Sequence, residues 1–547
     1  MATAAFVPSA PVDNRAATRR DIATMIGLFL VLSAAYWALV LGLCGGAGFP
    51  LDDSFIHLQF ARNLYEDGQM AFNKGVPSSG STAPLYPVLI AAVYCLVRNW
   101  YVASMLLGAA CSVGTALAVY GILRSWTGRQ DLARWGGLLT VLASPTVAQA
   151  YTGMESGAYS LLFLLGLWAY GPTQRRRLLG TGLFALCIWL RPEFLTMAPI
   201  VAVERLVAAY REKRRWSTAL AAFLGDIWPQ VAVWAGMVAL YGAYHWHLDR
   251  HLVPNTFHAK AVAPNSIRPA WFDGLPAALS RGNWLHVLLA VTVWPTLVLF
   301  LAGVGLTVNC APLGLGIRDS LTAVWRDEKR AASGRRLAVI TLVGYPWLRG
   351  FVDPSGFILF QFQRYYAHLT PLFILAALGA WPVTGAVVRR KYWDWQGTPL
   401  RAQRFRSCCW GAMSGLLMAI LCAVSVWNIN SMQVPLGHWV RENTSSDQLV
   451  ATNDIGAIGF VSERRILDTV GLVEPKLVEH YLAGGDLLGY LKSRDPAYVI
   501  IFPEWYKDLS SRADLLEEVH SVTLGLNVIC GGSRMVVYRP HWKKGSG

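Results

Sequence analysis

A chain of 547 residues with 54% apolar and only 15% charged residues lies outside the soluble class, where charges make up roughly 25%. Its formal charge of +15 does not indicate nucleic acid, because Lys and Arg cluster in short segments between apolar runs, as orienting charges of membrane helices do. The nine cysteines lie mostly within or beside those runs without metal-ligand spacing, so neither a disulfide framework nor a zinc site is supported.

Many runs approach the roughly 20 residues that cross a bilayer, so the composition predicts a polytopic helical membrane protein. Residues 1–21 form a tail, and the first run, Ile22 to Leu43, lacks the small-residue cleavage site of a signal peptide. Arg15, Arg19 and Arg20 precede it, so the tail is expected in the cytoplasm and the first loop, 49–100, outside. That loop opens on Leu51-Asp52-Asp53-Ser54-Phe55. An ionised carboxylate so near the membrane is costly. Two readings stand side by side: a loop in which Asp53 caps the following helix, or an acid at the mouth of a membrane enzyme.

The next run, Pro84–Val97, is short and interrupted by Pro87. If it crossed as well as Tyr101–Leu123, the basic cluster Arg124, Arg129, Arg134 would fall outside. We therefore read Pro84–Val97 as a surface or re-entrant helix and Tyr101–Leu123 as the second span. Trp135 to about Tyr151 returns outward, and Ser156–Tyr170 goes back in. The run Leu178–Val203 lies between two basic clusters and is broken by Arg191-Pro192-Glu193, where proline disfavours helix. It reads as two short spans turning at that tripeptide, with one kinked helix as the alternative. Ala219–Tyr244 runs outward, followed by a long outer loop from His245 to Asn283. The remaining runs are Trp284–Val308, Leu337–Phe351, Tyr365–Val388 and Ala412–Val426. The total is roughly eleven spans, making 22–428 a membrane domain. Residues 429–547 differ in kind. Strand-like runs at Leu449–Thr452, Tyr498–Phe502 and Met535–Tyr538 alternate with polar stretches such as Leu482–Ser493, which predicts a small α/β domain on the outer face.

This path brings unusual polar residues to one face: Asp52 and Asp53, Glu155, Arg191 and Glu193, Asn255, His258 and Lys260, and Arg364 with Tyr365. Each has a simpler explanation. Glu155 suits a helix N-terminus, Arg191 and Glu193 can pair with one another, and Lys260 and Arg364 can reach lipid headgroups. Asn255-Thr256 reads as a capped turn, and His258 alone carries little. None of these explanations requires all of them on one side. A cavity holding both signs of charge there suits a lipid-phosphate donor, with cations on the leaving phosphate and a carboxylate on the incoming hydroxyl.

The ordered motifs carry a resemblance. Asp52-Asp53-Ser54-Phe55-Ile56 with Ala61-Arg62-Asn63-Leu64, Phe72-Asn73-Lys74-Gly75, Gly80-Ser81-Thr82-Ala83-Pro84, Gly153-Met154-Glu155-Ser156, Leu190-Arg191-Pro192-Glu193, Pro254-Asn255-Thr256 with Ala259-Lys260, and Arg364-Tyr365 resemble the GT-C class of polyprenyl-phosphate-dependent membrane glycosyltransferases. The nearest branch includes the mycobacterial terminal arabinofuranosyltransferases. Asn453-Asp454-Ile455-Gly456 and Leu467-Asp468-Thr469-Val470-Gly471 extend the likeness into the C-terminal region.

The resemblance implies a GT-C fold in the cytoplasmic (inner) membrane, with the active site and C-terminal domain facing outward. It implies a polyprenyl-phosphate-linked sugar donor and an envelope glycan, lipid or protein acceptor. Asp52 matches the catalytic carboxylate, Asp53 a helix cap or second acid, and Glu155 a second outer acid. Arg191, Lys260 and Arg364 are the candidates to hold the phosphate. Metal use differs within the class, so a divalent cation (Mg or Mn) stays open and no cofactor is certain. A transporter or flippase would call for ionisable residues near the bilayer midplane and internal repeats, neither of which is evident. A scaffold for other envelope enzymes is the third reading.

Overall fold

The computed structural model describes residues 15–262, 332–352, 364–379 and 400–542. The expected span Trp284–Val308, most of the long outer loop, Gln361-Phe362-Gln363 and residues 380–388 of the expected span Tyr365–Val388 lie outside the described residues. Helix α1 (Arg15–Cys44) leads into a connection formed by α2 (Asp53–Asp67), a short hairpin of β1 (Ala71–Asn73) and β2 (Val76–Pro77), and α3 (Leu85–Val97). Helix α4 (Trp100–Thr127) follows, capped by the Asn99 side chain, which accepts the Val102 N–H at 3.1 Å. The expected run Trp135–Tyr151 is divided into α5 (Gln130–Leu142) and α6 (Ser144–Ala150). The break falls at Ala143, in extended conformation, with Pro145 in the first turn of α6. Proline has no N–H to donate and is tolerated only there.

Next come α7 (Ser156–Ala169), α8 (Gln174–Leu186) and α9 (Met197–Lys213), the last two separated by short 3₁₀ turns around Arg191-Pro192. Arg177 at the start of α8 and Arg205 within α9 reach the same carboxylate, Asp226 of α10 (Trp216–Asp249), at 2.6 and 2.8 Å. A continuous helix would hold those arginines about 42 Å apart, so α8 and α9 form a hairpin turning at Arg191. The further helices are α11 (Asn255–Val262), α12 (Ala332–Val352), α13 (Leu369–Gly379), α14 (Leu400–Ser431) and α15 (Gln433–Asn443). Four described stretches are long and apolar enough to cross a bilayer: α1, α4, α10 and Gly415–Asn443. The others are shorter or less apolar, so the described residues support fewer full-length crossings than the eleven expected.

One end of the bundle is closed by polar pairs. Asp21 accepts from Gln130 at 2.8 Å and from Tyr120 at 3.3 Å. Glu204, fully buried, accepts from Tyr170 at 2.8 Å and Arg336 at 2.9 Å. At the opposite end sits the C-terminal α/β domain. Its strands are β3 (Leu449–Thr452), β4 (Arg465–Asp468), β5 (Tyr498–Ile501), β6 (Leu516–Thr523) and β7 (Arg534–Pro540), in the order β4-β3-β5-β7-β6. The first three are parallel to one another, and β7 is antiparallel to both β5 and β6. Strands β4 and β6 are additions to the three expected from the sequence. Helix α16 (Ile455–Ser462) joins β3 to β4, and two more, α17 (Pro475–Leu482) and α18 (Leu487–Arg494), precede β5.

The first connection is built into this domain. Phe60 and Phe72 are buried in one core with Val450, Ile458, Ile500 and Val537. The Asn73 amide both accepts the Ile466 N–H (2.9 Å) and donates to the Ile466 carbonyl (2.8 Å). It thus satisfies the outer edge of β4 as a neighbouring strand would.

Candidate active site

The break between α1 and α2 places two carboxylates at the domain end of the bundle. Asp53 is the first residue of α2, and its Oδ2 lies 2.7 Å from Nη1 of Arg364. Asp52 precedes α2 but makes no side-chain cap there. Its oxygens instead accept the N–H groups of Gly456 (2.8 Å) and Ala457 (2.7 Å), capping α16 of the C-terminal domain. The expected helix cap is therefore made by the other acid, on another helix.

Glu155 stands just ahead of α7 and is 1% exposed. The turn before it depends on Gly153 at φ +70°, where a β-carbon would meet Phe49 and Ser54 at under 3.0 Å. Arg191 Nε lies 2.5 Å from one Glu155 oxygen, and His57 Nε2 lies 3.1 Å from the other. Burial raises the Glu155 carboxyl, but Arg191 and then His57 outweigh it, and the group is held well below the usual carboxylate range. Arg191 also reaches Glu193 at 3.5 Å. The Tyr365 ring stands between two guanidiniums, with Arg191 4.4 Å and Arg364 5.0 Å from its centroid. Arg364 donates to the Tyr365 hydroxyl at 3.0 Å. Its carbonyl accepts from Tyr159, whose hydroxyl also takes the Ala367 N–H at 3.1 Å. Asp53, Glu155, Arg191, Glu193, Arg364 and Tyr365 thus form one ion-paired cluster.

The other expected residues lie apart from it. Asn255 is buried, donating to the Gly471 carbonyl (2.6 Å) and the Leu472 carbonyl (3.0 Å), while its N–H reaches Ser79 (3.0 Å). These bonds join α11, the first connection and the C-terminal domain, which gives Asn255 a structural task. His258 rests on the His251 ring, with centroids 4.5 Å apart. Burial lowers its pKa, with a contribution from His251. The Lys260 side chain lies outside the described residues.

Beside the cluster is a cavity of about 430 Å³. Its polar wall holds Asp52, Asp53, Asp454 and Gln433, and α14 contributes Leu421 and Ile429 with Ser425 between them, whose hydroxyl donates to the Leu421 carbonyl at 2.8 Å. Trp505 and the segment Val528–Gly531 close the far side. Asp53 belongs to both cavity and cluster, and its side chain is 42% exposed. No group of His, Cys, Asp and Glu able to hold a metal is present among the described residues. Two residues escaped the sequence reading. His57 could have been found from its spacing, since Asp53 and His57 are four apart on one helix face. Asp454 stands in the Asn453-Asp454-Ile455-Gly456 motif, but its place in the cavity comes from a contact of that motif with Asp52, which nothing local shows.

Two solved structures share this arrangement of elements: ArnT from Cupriavidus metallidurans bound to undecaprenyl phosphate, and the same protein in its apo state. The first superposes with a TM-score of 0.55 at 13% identity, covering 94% of this chain and 97% of that one. The apo form gives 0.54 with the same identity and coverage. The chain shares the fold of ArnT. Residues 427–542 match a domain of unknown function, DUF8728, so the sequence family covers the C-terminal domain alone. No curated protein matches in sequence.

Proposed function

We propose that this protein is a membrane glycosyltransferase that moves a sugar from a polyprenyl-phosphate donor to an envelope glycan, lipid or protein. Its active site and C-terminal domain would stand on the outer face of the cytoplasmic membrane. The observation that carries the reading is Asp53, which joins a cluster with two buried guanidiniums to a cavity lined by carboxylates. The fold shared with ArnT, captured with undecaprenyl phosphate, supports the donor class. Kinship to the arabinofuranosyltransferase-like branch rests on the motifs, above all Asp52-Asp53 and Arg364-Tyr365.

Among the described residues of the cluster, two guanidiniums face three carboxylates: Asp53, Glu155 and Glu193. A lipid phosphate therefore has to displace a carboxylate to be bound. The pair it exchanges most readily is Asp53–Arg364, because Asp53 is half exposed while Glu155 is sealed in. Arg364, planar and always charged, then holds the phosphate with two parallel N–H bonds. Tyr365 keeps its guanidinium in place. The acceptor occupies the cavity, where a carboxylate takes the proton of its hydroxyl. Glu155 stays ionised and orients Arg191.

The test supplies membranes holding the protein with a radiolabelled polyprenyl-phosphate sugar and an envelope glycolipid fraction. Wild type transfers label, and Arg364→Ala, inserted and folded, loses transfer. An Arg364→Ala variant as active as wild type would remove Arg364 from the chemistry. Lipid movement across the bilayer without transfer would favour a flippase.

A further inference from the structure

Asp454 occupies the position before α16 from which an aspartate ordinarily caps its own helix. It makes no such bond. The N–H groups it would take belong to Asp52, 404 residues from Gly456 in the chain. The exchange requires Gly456, where a β-carbon would stand 2.0 Å from the Asp52 carbonyl oxygen and 2.7 Å from its Oδ2. Freed from its helix, the Asp454 carboxylate is held in the cavity wall by two neutral amides. Gln433 donates to Oδ2 at 2.8 Å and Asn453 to Oδ1 at 2.9 Å. Each oxygen keeps a lone pair for an incoming hydroxyl. Asp53 carries a guanidinium partner, and both Asp52 oxygens carry backbone N–H groups. Asp454 has no ion pair among the described residues, and its oxygens are held by neutral side-chain amides, so no cation holds its charge in place.

We infer that Asp454 takes the proton from the acceptor hydroxyl, and that Asp52 is the positioning residue that frees it by capping α16 in its place. The inference rests on the transferase reading. In the step, the acceptor oxygen bonds to the anomeric carbon while the bond from that carbon to the phosphate oxygen breaks. The bonding pair leaves on the lipid phosphate, and the acceptor proton moves to Asp454 and from there to water. Burial raises the Asp454 carboxyl above its ordinary range, and the charge on Asp53 adds to this. Such a group is a stronger base than an exposed aspartate and still deprotonated near neutrality. The titratable groups that face it are Asp52 and Asp53 at the start of α2, Cys530 in the β6–β7 connection and Tyr506 after β5. Burial pushes the Cys530 thiol and the Tyr506 hydroxyl up, so both stay neutral over the working range.

The experiment measures transfer against pH for the full-length protein in membranes, with binding of labelled polyprenyl phosphate recorded in parallel. Wild-type rate rises with pH through a limb above the roughly 3.9 of an ordinary aspartate, then levels. Asp454→Asn binds the lipid phosphate normally, loses on the order of 10²-fold or more in rate, and loses the limb. Asp52→Ala and Gly456→Ala retain part of the activity with the limb moved to lower pH. In both, Asp454 returns to the N-terminus of α16, whose N–H groups favour its charged form. Asp454→Asn with wild-type rate and limb overturns the inference and leaves the transferase standing. Wild type that transfers no sugar from any polyprenyl phosphate removes the reading beneath it. If Asp454→Asn does not fold, Gly456→Ala decides, since it keeps every acid; an unmoved limb overturns the inference.

Discussion

The two ends of the helical bundle both bury ion pairs, yet they differ in what is left over. At the closed end, Glu204 takes Tyr170 and Arg336 with Arg205 3.8 Å away, and Asp226 takes Arg177 and Arg205. The Glu204 side chain there has no exposed surface. At the domain end, Glu155, Arg191 and Arg364 are buried as deeply, but Asp53 opens onto a cavity of about 430 Å³. Buried charge is therefore a poor guide to chemistry here, and the useful signal is a pair with one member exposed enough to exchange partners. Breaking a buried pair by removing one partner costs stability wherever it lies. Only at the domain end should it cost transfer out of proportion to stability.

The largest expected effect comes from Arg364. Arg364→Ala removes the guanidinium proposed to meet the leaving phosphate, and transfer should fall about 10²–10³-fold, as when one transition-state donor is lost. Arg364→Lys restores charge without the two-pronged geometry and should recover only part of the rate. The measurement is kcat for sugar transfer alongside the thermal midpoint in detergent. A rate that falls only as far as the folded fraction falls would put the two ends of the bundle in the same class.

Glu204→Gln sharpens the comparison from the other side. It leaves Arg336 without its carboxylate in a buried position, which costs about 3–5 kcal/mol. The thermal midpoint should drop clearly, while transfer per folded molecule stays at the wild-type value. Loss of transfer in molecules shown to be folded would mean that the closed end communicates with the site.

Much of this contrast is legible in the amino-acid sequence. Lys and Arg placement with the Arg191-Pro192 break is enough to foresee the hairpin that Arg177, Asp226 and Arg205 close. It also places Asp53, Glu155, Arg191 and Arg364 at one end. What the sequence hides are arrangements made through space. Asp52-Asp53 reads as one catalytic acid and one cap, but nothing local says that the cap is made 404 residues away on α16. Asn255 reads as a site residue because polar residues near a membrane attract that reading, whereas its amide holds the turn at Gly471-Leu472. The division of α5 from α6 was foreshadowed by Ser144-Pro145 and obscured by the apolar run that continues across it.

The smallest expected effect concerns how the first connection is held against the C-terminal domain, on which the exposure of Asp53 depends. Asn73 makes two hydrogen bonds to Ile466 on the edge of β4, and each is worth about 1 kcal/mol net. Asn73→Ala should therefore lower stability by about 1–2 kcal/mol and speed amide exchange at Ile466 first. Because Phe60 and Phe72 remain buried in the shared core, the connection should stay docked and transfer should fall by no more than a few-fold. A loss as large as that of Arg364→Ala would show that the edge contact, rather than the core beneath it, sets the position of α2 and its carboxylates.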